Sequence, residues 1–488
     1  MRLALKLVSA VLFPTAVIAA KASASEADVP LAEPKAFEQP APAELGVRLQ
    51  MLGQELQEKT GIALSENARI FRLQSEAEAG NAEAVFQLGL AYETGRGVDQ
   101  DYIKAYALYK QARDMGITAA LTNLAGILKS GPASMQDLEL AHELFQEAAN
   151  LGDYWAQNNL GLMYLNGEGV EKNPELALRW ITEAHNAGLA QATANLAGFY
   201  RQGLGTKPDH EKARFLYEEA ARRGAAEAHL PLGEMYEFGE GGPADLQQAI
   251  QHYQMAADAG DALGLHYVGT LYEEGAGLPQ NLNMAARYYR RAADRGLAQS
   301  QYTLGRLYLN GAGVDQDPEE AIKLYQAAAD QGFGQALNDL GVLYETGQFV
   351  PQDTARAIAY YEAASETFPF ALTNLGLAYI SGAGVKQDVD RALRYFEQAA
   401  ERGEPQGEVF LGKIYLEGFA VQQDGEKAIS YLKSAALKGD PEAFHLLAWC
   451  YETGTFLNKD LEKALELYKL AADAGFPAAF EAVERLSQ

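Results

Sequence analysis

The chain has little cysteine and histidine, and it has few basic residues for its size. Its 488 residues include one cysteine, Cys450, so the chain cannot form an internal disulfide. The seven histidines show neither His-Glu-x-x-His nor another paired metal-ligand spacing, and we expect no metal or other cofactor. Lys and Arg number 40 against 66 Asp and Glu, for a net charge of -26. That charge disfavours nucleic acid as a partner and is compatible with either a basic partner or solubility alone.

Long hydrophobic runs are also scarce, apart from one near the start of the chain. A basic segment, Met1–Lys6, precedes the mainly apolar Leu7–Ala20, and Ala22-Ser23-Ala24 fits a signal-peptidase site. The apolar run is short and contains Pro14, so residues 1–24 predict a cleavable signal peptide cut near Ala24. We therefore expect a periplasmic or secreted protein with no integral membrane span in the mature chain. Residues 25–45, rich in Pro, Ala and acids, predict a disordered linker.

A small residue recurs every 36 positions along most of the chain, with a single step of 35. These small-residue positions are Gly89, Ala125, Gly161, Ala197, Gly233, Gly269, Gly305, Gly341, Gly376, Gly412 and Ala448. A fixed period of this length is typical of a solenoid, in which each repeat must stack on its neighbours to bury its apolar face. The sequence therefore predicts one all-α array instead of several globular domains.

Each repeat predicts two helices separated by a glycine-containing turn. In the seventh repeat, Leu304, Leu307 and Tyr308 share one face of the first helix, which should end at a left-handed Gly311. Every repeat has a glycine at this position, Gly131 in repeat 2, and ten second helices should also end at a glycine, such as Gly116 or Gly332. An Asp or Asn then occupies one position in all eleven repeats, as Asp317 does here, and should cap the second helix. Two columns of alanine follow, beginning at Ala105 and Ala112, and they predict close helix crossings.

The repeat pattern also predicts how the chain is divided. Residues 81–475 contain the eleven repeats, 46–80 form a degenerate N-terminal capping repeat, and 476–488 form a C-terminal capping helix. Phe368-Pro369 replaces the expected glycine at the step of 35. We therefore expect a local change in superhelix geometry between repeats 8 and 9.

Individual repeats closely resemble a known family. The segment Ala156-Gln-Asn-Asn-Leu-Gly-Leu-Met-Tyr-Leu-Asn-Gly-Glu-Gly-Val170 is similar to the Sel-1-like repeat, a relative of the tetratricopeptide repeat. The resemblance implies an α-solenoid of antiparallel helix pairs that form a right-handed superhelix. It further implies an adaptor that organises protein complexes. Exported bacterial members are associated with envelope assembly, exopolysaccharide secretion and host interaction.

Four asparagines are the candidate partner-binding residues: Asn123, Asn159, Asn195 and Asn374. Each precedes the Leu and small-residue pair of its repeat and faces away from the apolar side of its helix, towards a predicted concave groove. A column of amides can bind both N–H and C=O groups of an extended peptide. Peptide-binding tetratricopeptide domains similarly carry Asn at the corresponding helix position. The alternative is that these amides bond neighbouring helices within the solenoid.

Other motifs favour structural explanations. The repeated tyrosines Tyr164, Tyr200, Tyr236, Tyr272, Tyr308 and Tyr344 fit core packing better than carbohydrate stacking. The Gly-x-Gly turns follow a helix and lack the Lys-Ser/Thr of a phosphate loop. Helix capping explains Asp101 and Asp317 better than a cation site does. Ser430-x-x-Lys433 and Lys59-Thr60-Gly61 match fragments of a penicillin-binding signature, but they lie at opposite ends of the array.

Together these patterns favour a non-enzymatic scaffold of the bacterial envelope that binds proteins or peptides along a concave groove. The alternative is a periplasmic regulator that sequesters a signalling or exopolysaccharide-secretion component. A cell-wall-modifying enzyme is a distant alternative, because the sequence shows no arrangement of nucleophile, base and oxyanion donors.

Overall fold

A computed structural model of the chain describes residues 66–419 and 421–487, which contain 24 α-helices and no strand. The predicted all-α class is therefore confirmed. The predicted signal peptide (1–24), the linker (25–45) and the first part of the N-terminal repeat (46–65) lie outside the described residues. Among the described helices, none has the length and apolar character that a membrane crossing requires. The chain divides into two compact units, one ending at Ile117 and one beginning at Thr118.

The first unit contains three described helices: α1 (Glu66–Glu78), α2 (Ala82–Thr94) and α3 (Tyr102–Asp114). Ile70 and Leu73 of α1 are buried against Ala84, Leu88 and Ala91 of α2. The described part of the N-terminal repeat is thus one helix that covers the first complete repeat. Its function as a cap stays a prediction.

The second unit is an α-solenoid in which every helix packs against the next along the chain. Its helices are α4 (Ala119–Ser130), α5 (Leu138–Asn150), α6 (Tyr154–Asn166), α7 (Pro174–Asn186), α8 (Ala190–Gln202), α9 (His210–Arg222), α10 (His229–Phe238), α11 (Leu246–Asp258), α12 (Ala262–Glu274), α13 (Leu282–Ala293), α14 (Ala298–Asn310), α15 (Pro318–Ala329), α16 (Gly334–Thr346), α17 (Thr354–Ala364), α18 (Phe370–Ser381), α19 (Val389–Glu401), α20 (Pro405–Glu417), α21 (Gly425–Leu437), α22 (Pro441–Thr453), α23 (Leu461–Asp473) and α24 (Pro477–Leu486). Even-numbered helices are the first helices of repeats, and odd-numbered helices are the second.

The second helices begin where the sequence predicts. In all eleven repeats, the side chain of the Asp or Asn cap accepts a hydrogen bond from a backbone N–H in the first turn of its helix. For example, the N–H of Glu320 donates to Asp317 at 3.0 Å. Each such cap stabilises its helix by about 1 kcal/mol. Ten glycines with positive φ, including Gly116 and Gly332, follow these helices as predicted.

Close helix crossings explain both the alanine columns and the small-residue position. Every alanine in the two predicted columns is at most 1% exposed. A Cβ added to Gly305 would lie 2.7 Å from the ring of Tyr325 on the second helix of the same repeat. Tyr325 and its equivalents, including Tyr253, Tyr289 and Tyr361, are among the largest fully buried side chains. The glycine is therefore small because an aromatic ring lies against the backbone at that point.

The first helix of repeat 2 ends differently from the prediction. Glycines such as Gly167 and Gly311 end first helices in the left-handed conformation, but Gly131 is extended, with φ -74° and ψ -169°. Pro132 follows it, and a residue before proline is pushed towards extended conformations. The expectation of a left-handed glycine was therefore wrong at this one end.

Two irregular repeats contain a proline near the start of a first helix. Pro231 has no N–H to donate to the carbonyl four residues before it. The α-helix α10 therefore begins at His229, after a short 3-10 turn, Ala226–Ala228. At the predicted break, α17 ends at Ala364 and has 11 residues, whereas most second helices have 12 or 13. The superhelix change expected at Phe368-Pro369 stays a prediction.

Candidate functional site

The accessible side of the first helices in repeats 2–4 carries three of the candidate asparagines. We call Asn123 on α4, Asn159 on α6 and Asn195 on α8 the amide stripe. All three are half-buried, so that part of each side chain remains accessible. They occupy equivalent positions 36 residues apart, and consecutive first helices therefore present one amide each.

The hydrogen bonds of the stripe occupy its N–H groups more than its oxygens. The Asn195 Nδ2 donates to Oδ1 of Asn158, in the preceding repeat, at 2.8 Å. The Asn159 Nδ2 donates to the backbone oxygen of Trp155, on its own helix, at 3.0 Å. Asn123 makes no side-chain hydrogen bond within the described part of the chain. The structure thus supports a structural role for Asn195, and the Oδ1 atoms of the stripe face no internal donor among these bonds.

Asn374 repeats the same arrangement in another part of the solenoid. Its Nδ2 donates to Oδ1 of Asn338, one repeat earlier, at 2.8 Å. Asn338 and Asn158 are both almost fully buried, which makes each of these amide–amide bonds part of a repeat interface. Partner binding by the four asparagines stays a prediction. Asn195 and Asn374 would have to bind a partner while their Nδ2 atoms also donate to an asparagine of the preceding repeat.

Glycines and two exposed aromatic side chains lie beside the asparagines of the amide stripe. A Cβ added to Gly126, three residues after Asn123, would meet no atom within 4 Å. Gly198 stands at the equivalent position of α8. Between them, Trp155 and Tyr154 at the start of α6 are 46% and 43% exposed, and their rings lie 6.1 Å apart. A Cβ added to Gly198 would lie 3.3 Å from the Tyr217 hydroxyl, so the open space beside the exposed aromatic pair lies at Gly126.

No charged side chain interrupts this side of the three helices. Positions spaced by three or four residues share one helix face. On α4, α6 and α8 that face contains Ala119, Asn123, Gly126, Ser130, Trp155, Asn159, Leu162, Asn166, Gln191, Asn195, Gly198 and Gln202, none of which is buried. In a chain of net charge -26, twelve accessible positions without a charge form a distinct surface.

Three later repeats carry a charge at the position equivalent to Gly126, and each of these charges forms an ion pair with a neighbouring repeat. Arg306 occupies the position equivalent to Gly126 and pairs with Glu273 of the preceding repeat at 2.5 Å. Glu273 also accepts the hydroxyl of the buried Tyr289 at 2.7 Å. Burial and the nearby carboxylate hold the pKa of Tyr289 far above its usual value. We call Tyr289, Glu273 and Arg306 the charged ladder of repeats 6 and 7.

A related set of ion pairs connects repeats 4 and 5. Arg201 of α8 bonds Glu234 and Glu240, each at 2.8 Å. Burial disfavours the charge of Arg201, but its hydrogen bonds to Glu240 and Glu234 raise the pKa of the guanidinium above its usual value. These side chains are therefore engaged in holding repeats together.

The repeated tyrosines of the first helices pack as predicted, but they are only half-buried. Tyr164, Tyr200 and Tyr236 pack against the core of repeats 3–5. Cationic side chains cover the remaining ring faces in several repeats: Lys212 lies 4.0 Å from the Tyr200 ring centre and Arg214 lies 3.7 Å from that of Tyr236. Such covered rings are poorly placed to stack against a carbohydrate.

The other candidate sites have structural explanations. Ser430 and Lys433 line an open depression of about 620 Å³ beside Phe456, but both are exposed and no hydrogen bond joins them. The Lys59-Thr60-Gly61 motif lies outside the described residues. In the described ranges, no three His, Cys, Asp or Glu side chains are grouped as metal ligands. Cys450 is fully buried, and burial raises the pKa of its thiol to about 11.

Two histidines form a contact that the sequence did not predict. Nδ1 of His229 and Nδ1 of His252 lie 3.0 Å apart, within repeat 5. One ring must donate and the other accept, so the contact requires at least one neutral imidazole. Burial, together with the charge of His229, lowers the pKa of His252 to about 4.

The sequence analysis also missed the tyrosine–glutamate bonds, although the sequence contains a signal for them. A Glu stands four residues after the small residue, and a Tyr stands twenty after it, in the same five repeats. The bonded pairs are Glu93–Tyr109, Glu237–Tyr253, Glu273–Tyr289, Glu345–Tyr361 and Glu452–Tyr468. In repeats 3, 9 and 10, both positions are apolar instead.

Comparisons with known proteins agree with the repeat architecture. The crystal structure of c5321, described as a protective antigen of uropathogenic Escherichia coli with an SLR fold, is 27% identical and has a TM-score of 0.64. The match covers 86% of this chain and 90% of that one. A Sel1 repeat protein of Oxalobacter formigenes is 31% identical over 51% of this chain and 99% of its own, with a TM-score of 0.47. No curated protein is significantly similar in sequence.

The family model for the Sel1 repeat matches eleven consecutive segments, the first at residues 82–117 and the last at 441–476. Solenoids of this kind generally serve protein–protein interaction. With eleven matched segments, the paired helices and a related crystal structure in agreement, the chain belongs to the Sel1 repeat family.

Proposed function

We propose that this chain is a non-enzymatic scaffold of a bacterial envelope that holds partner proteins on the amide stripe of repeats 2–4. The observation that carries the proposal is the uncharged, accessible surface around Asn123, Asn159 and Asn195. In repeats 5, 7 and 10, the position equivalent to Gly126 holds Glu234, Arg306 and Lys413, and each of them forms an ion pair with a neighbouring repeat. The twelve positions of this face make no ion pair, because Lys129 and Arg201, which pair with Glu168 and Glu234, lie at another position of their first helices. This face of repeats 2–4 is therefore available to a partner.

An extended segment of a partner protein fits this surface. Amide oxygens of the stripe can accept backbone N–H groups, and the N–H groups that remain free can donate to carbonyls. Trp155 and Tyr154 supply apolar area at the centre of the stripe, as aromatic anchors do in protein interfaces. Because the surface carries no charge, a basic partner of the acidic chain would place its basic residues outside this contact.

Photo-crosslinking in cells tests the location of the surface. A photoreactive amino acid in place of Trp155 should capture defined envelope proteins, whereas the same residue in place of Ala359 should not. Ala359 is exposed on α17, a second helix, and provides a matched control. Equal capture from the two positions, or no capture from Trp155, would contradict the proposed surface.

The envelope location rests on the first 24 residues and needs its own test. Met1–Ala24 combines a basic start, an apolar run and a small-residue cleavage site. Cell fractionation followed by N-terminal sequencing should find a periplasmic or secreted chain that begins near Ser25. An uncleaved chain in the cytoplasmic fraction would contradict the location without affecting the interaction surface.

A further inference from the structure

Three arginines form an exposed stripe on the outer side of repeat 6. Arg287 and Arg291 lie on α13, and Arg295 lies in the turn that follows it, so that the three are spaced by four residues. None of them pairs with an acid within the described residues. This is unusual in a chain with 66 Asp and Glu against 40 Lys and Arg. We call these residues the arginine stripe.

Internal hydrogen bonds hold two of these arginines without neutralising them. Arg291 donates to the backbone oxygen of Ala257 at 3.3 Å, and Arg295 donates to the backbone oxygen of Arg291 at 2.9 Å. Both acceptors are uncharged, and each guanidinium has further N–H groups to offer. The stripe therefore presents ordered positive charge that can pair with an anion.

A matching set of glutamates lies on the outer side of repeat 2. Glu139, Glu143 and Glu147 follow one face of α5, and all three are exposed. None of them forms an ion pair in the part of the chain that the structure describes. Glu147 lies in the last turn of α5, where the helix dipole disfavours a negative charge. We call these residues the glutamate stripe.

The helix dipole favours Glu139 in the first turn of α5 and Arg291 in the last turn of α13, but it does not account for three like charges in a row. Like charges four residues apart on a helix repel each other. At the same spacing, Arg223, directly after α9, pairs with Glu219, and Lys323 of α15 pairs with Glu319. The two stripes depart from this pattern in opposite directions, one fully acidic and one fully basic.

The two stripes also match in position. Arg287 and Arg291 lie four repeats, or 144 residues, after Glu143 and Glu147, and they therefore occupy equivalent positions on equivalent helices. When such helices lie side by side, Glu143 can face Arg287 and Glu147 can face Arg291. Exposed apolar side chains accompany each stripe: Leu151 follows α5 at 63% exposure, and Met255 of α11 is 48% exposed one repeat before Arg291.

We propose that the chain associates with a second copy of itself, with the glutamate stripe of one copy packed against the arginine stripe of the other. Complementary charges select this pairing, because the alternatives place like charges together. Leu151 and Met255 supply apolar contact beside the ion pairs. Two reciprocal contacts produce a closed dimer, and a single contact repeated between copies produces longer chains.

Charge exchange tests the proposal. The purified wild-type chain should form dimers or larger species in sedimentation velocity at low salt, and added salt should dissociate them. The variants R287E/R291E and E143R/E147R should each associate at least about tenfold more weakly than wild type, because like charges then face each other. An equimolar mixture of the two variants should associate again, since each supplies the stripe that the other lacks.

A matched control separates this interface from general charge effects. The variant R394E/Q398E changes the equivalent positions on α19, and it should associate as the wild type does. Circular dichroism of each variant checks that the helices are intact. A wild-type chain that stays monomeric at low salt would overturn the proposal and leave a foreign acidic protein as the ligand of the arginine stripe. Failure of the mixed variants to associate would overturn it as well.

Discussion

The amide stripe of repeats 2–4 and the charged ladder of repeats 6 and 7 occupy equivalent positions on first helices, but their side chains are bonded differently. In the ladder, Arg306 bonds Glu273, which also accepts the hydroxyl of the buried Tyr289. The position of Arg306 is Gly126 in repeat 2 and Gly198 in repeat 4. At this position the ladder connects two repeats through an ion pair, whereas the amide stripe has no charged side chain there and has open space at Gly126.

This difference shows which part of a repeat can vary without loss of the fold. The Asp or Asn caps and both alanine columns recur in all eleven repeats, and together with the buried apolar core they stabilise each helix pair. Side chains on the accessible face of the first helix then strengthen the stacking of repeats or bind a partner. In repeats 2–4, the ion pairs that join repeats, such as those of Lys129 and Arg201, lie outside the face of the amide stripe, which leaves that face available for the second role.

The largest expected effect comes from removing the buried ring of the ladder. Tyr289→Ala should lower the free energy of unfolding by about 3–5 kcal/mol, because it leaves a cavity beside Gly269 and removes the partner of Glu273. Urea unfolding followed by circular dichroism measures the change. Tyr289→Phe keeps the ring and should cost only about 1 kcal/mol. A loss below about 1 kcal/mol for the alanine variant would mean that the buried ring contributes little to the packing of the two helices of repeat 6.

Acid should affect the two regions differently. Burial lowers the pKa of His266, near the ladder, to about 4, and its Nδ1 lies 2.9 Å from the Ser300 hydroxyl. An unfolded histidine titrates near pH 6.5, so the unfolded chain binds more protons between pH 6.5 and 4. Burial of a neutral His266 therefore does not lower the free energy of unfolding above about pH 6.5, but the free energy of unfolding falls as the pH decreases from 6.5 towards 4. Over this whole range, His266 lowers the free energy of unfolding by about 3 kcal/mol.

The pH dependence can be assigned to His266 by substitution. In His266→Gln, the free energy of unfolding should fall less between pH 6.5 and 4 than in the wild type. The amide stripe contains no titratable side chain, so Asn159→Ala should follow the wild-type curve over the same range. Parallel curves for wild type and His266→Gln would show that other groups, such as carboxylates, dominate the acid response.

Glycine substitutions should have opposite signs in the two regions. Gly305→Ala puts a Cβ 2.7 Å from the Tyr325 ring and should cost about 1–3 kcal/mol, although Ala197 shows that the equivalent position of repeat 4 accommodates a methyl group. Gly126→Ala meets open space and should stabilise α4 by up to about 1 kcal/mol through helix propensity. Thermal unfolding of both variants measures the difference. The same sign for both would remove the basis for treating Gly126 as open surface.

Features that depend on a single residue at a fixed position could be predicted from the sequence. Each cap needs one Asp or Asn at the start of a helix, and each alanine column needs one small side chain at a crossing. Gly131 shows the limit of this reasoning, because Pro132 changes the backbone conformation of an otherwise regular turn. The repeat period predicts an average repeat, and a neighbouring residue decides each exception.

Features that depend on pairs of distant residues were harder to predict. The bond between Glu273 and Tyr289 joins two helices of one repeat, and that between Asn195 and Asn158 joins two repeats. Period and spacing place such residues on a helix face, but the crossing geometry decides which of them touch. For this reason the sequence left two interpretations of the asparagines open, and the structure supports an internal bond for Asn195 and an unbonded amide at Asn123.

The smallest expected effect on stability is also the most direct test of the amide stripe. Asn159→Ala removes a bond to the backbone of its own helix, and the free energy of unfolding should change by no more than about 0.5 kcal/mol. Thr303→Ala is a matched control, since Thr303 occupies the equivalent position of repeat 7 and bonds the backbone of Gln299 at 2.9 Å. Photo-crosslinking from position 155 should decrease for Asn159→Ala and not for Thr303→Ala. Equal capture by the two variants would show that the Asn159 amide does not contribute to partner binding at this surface.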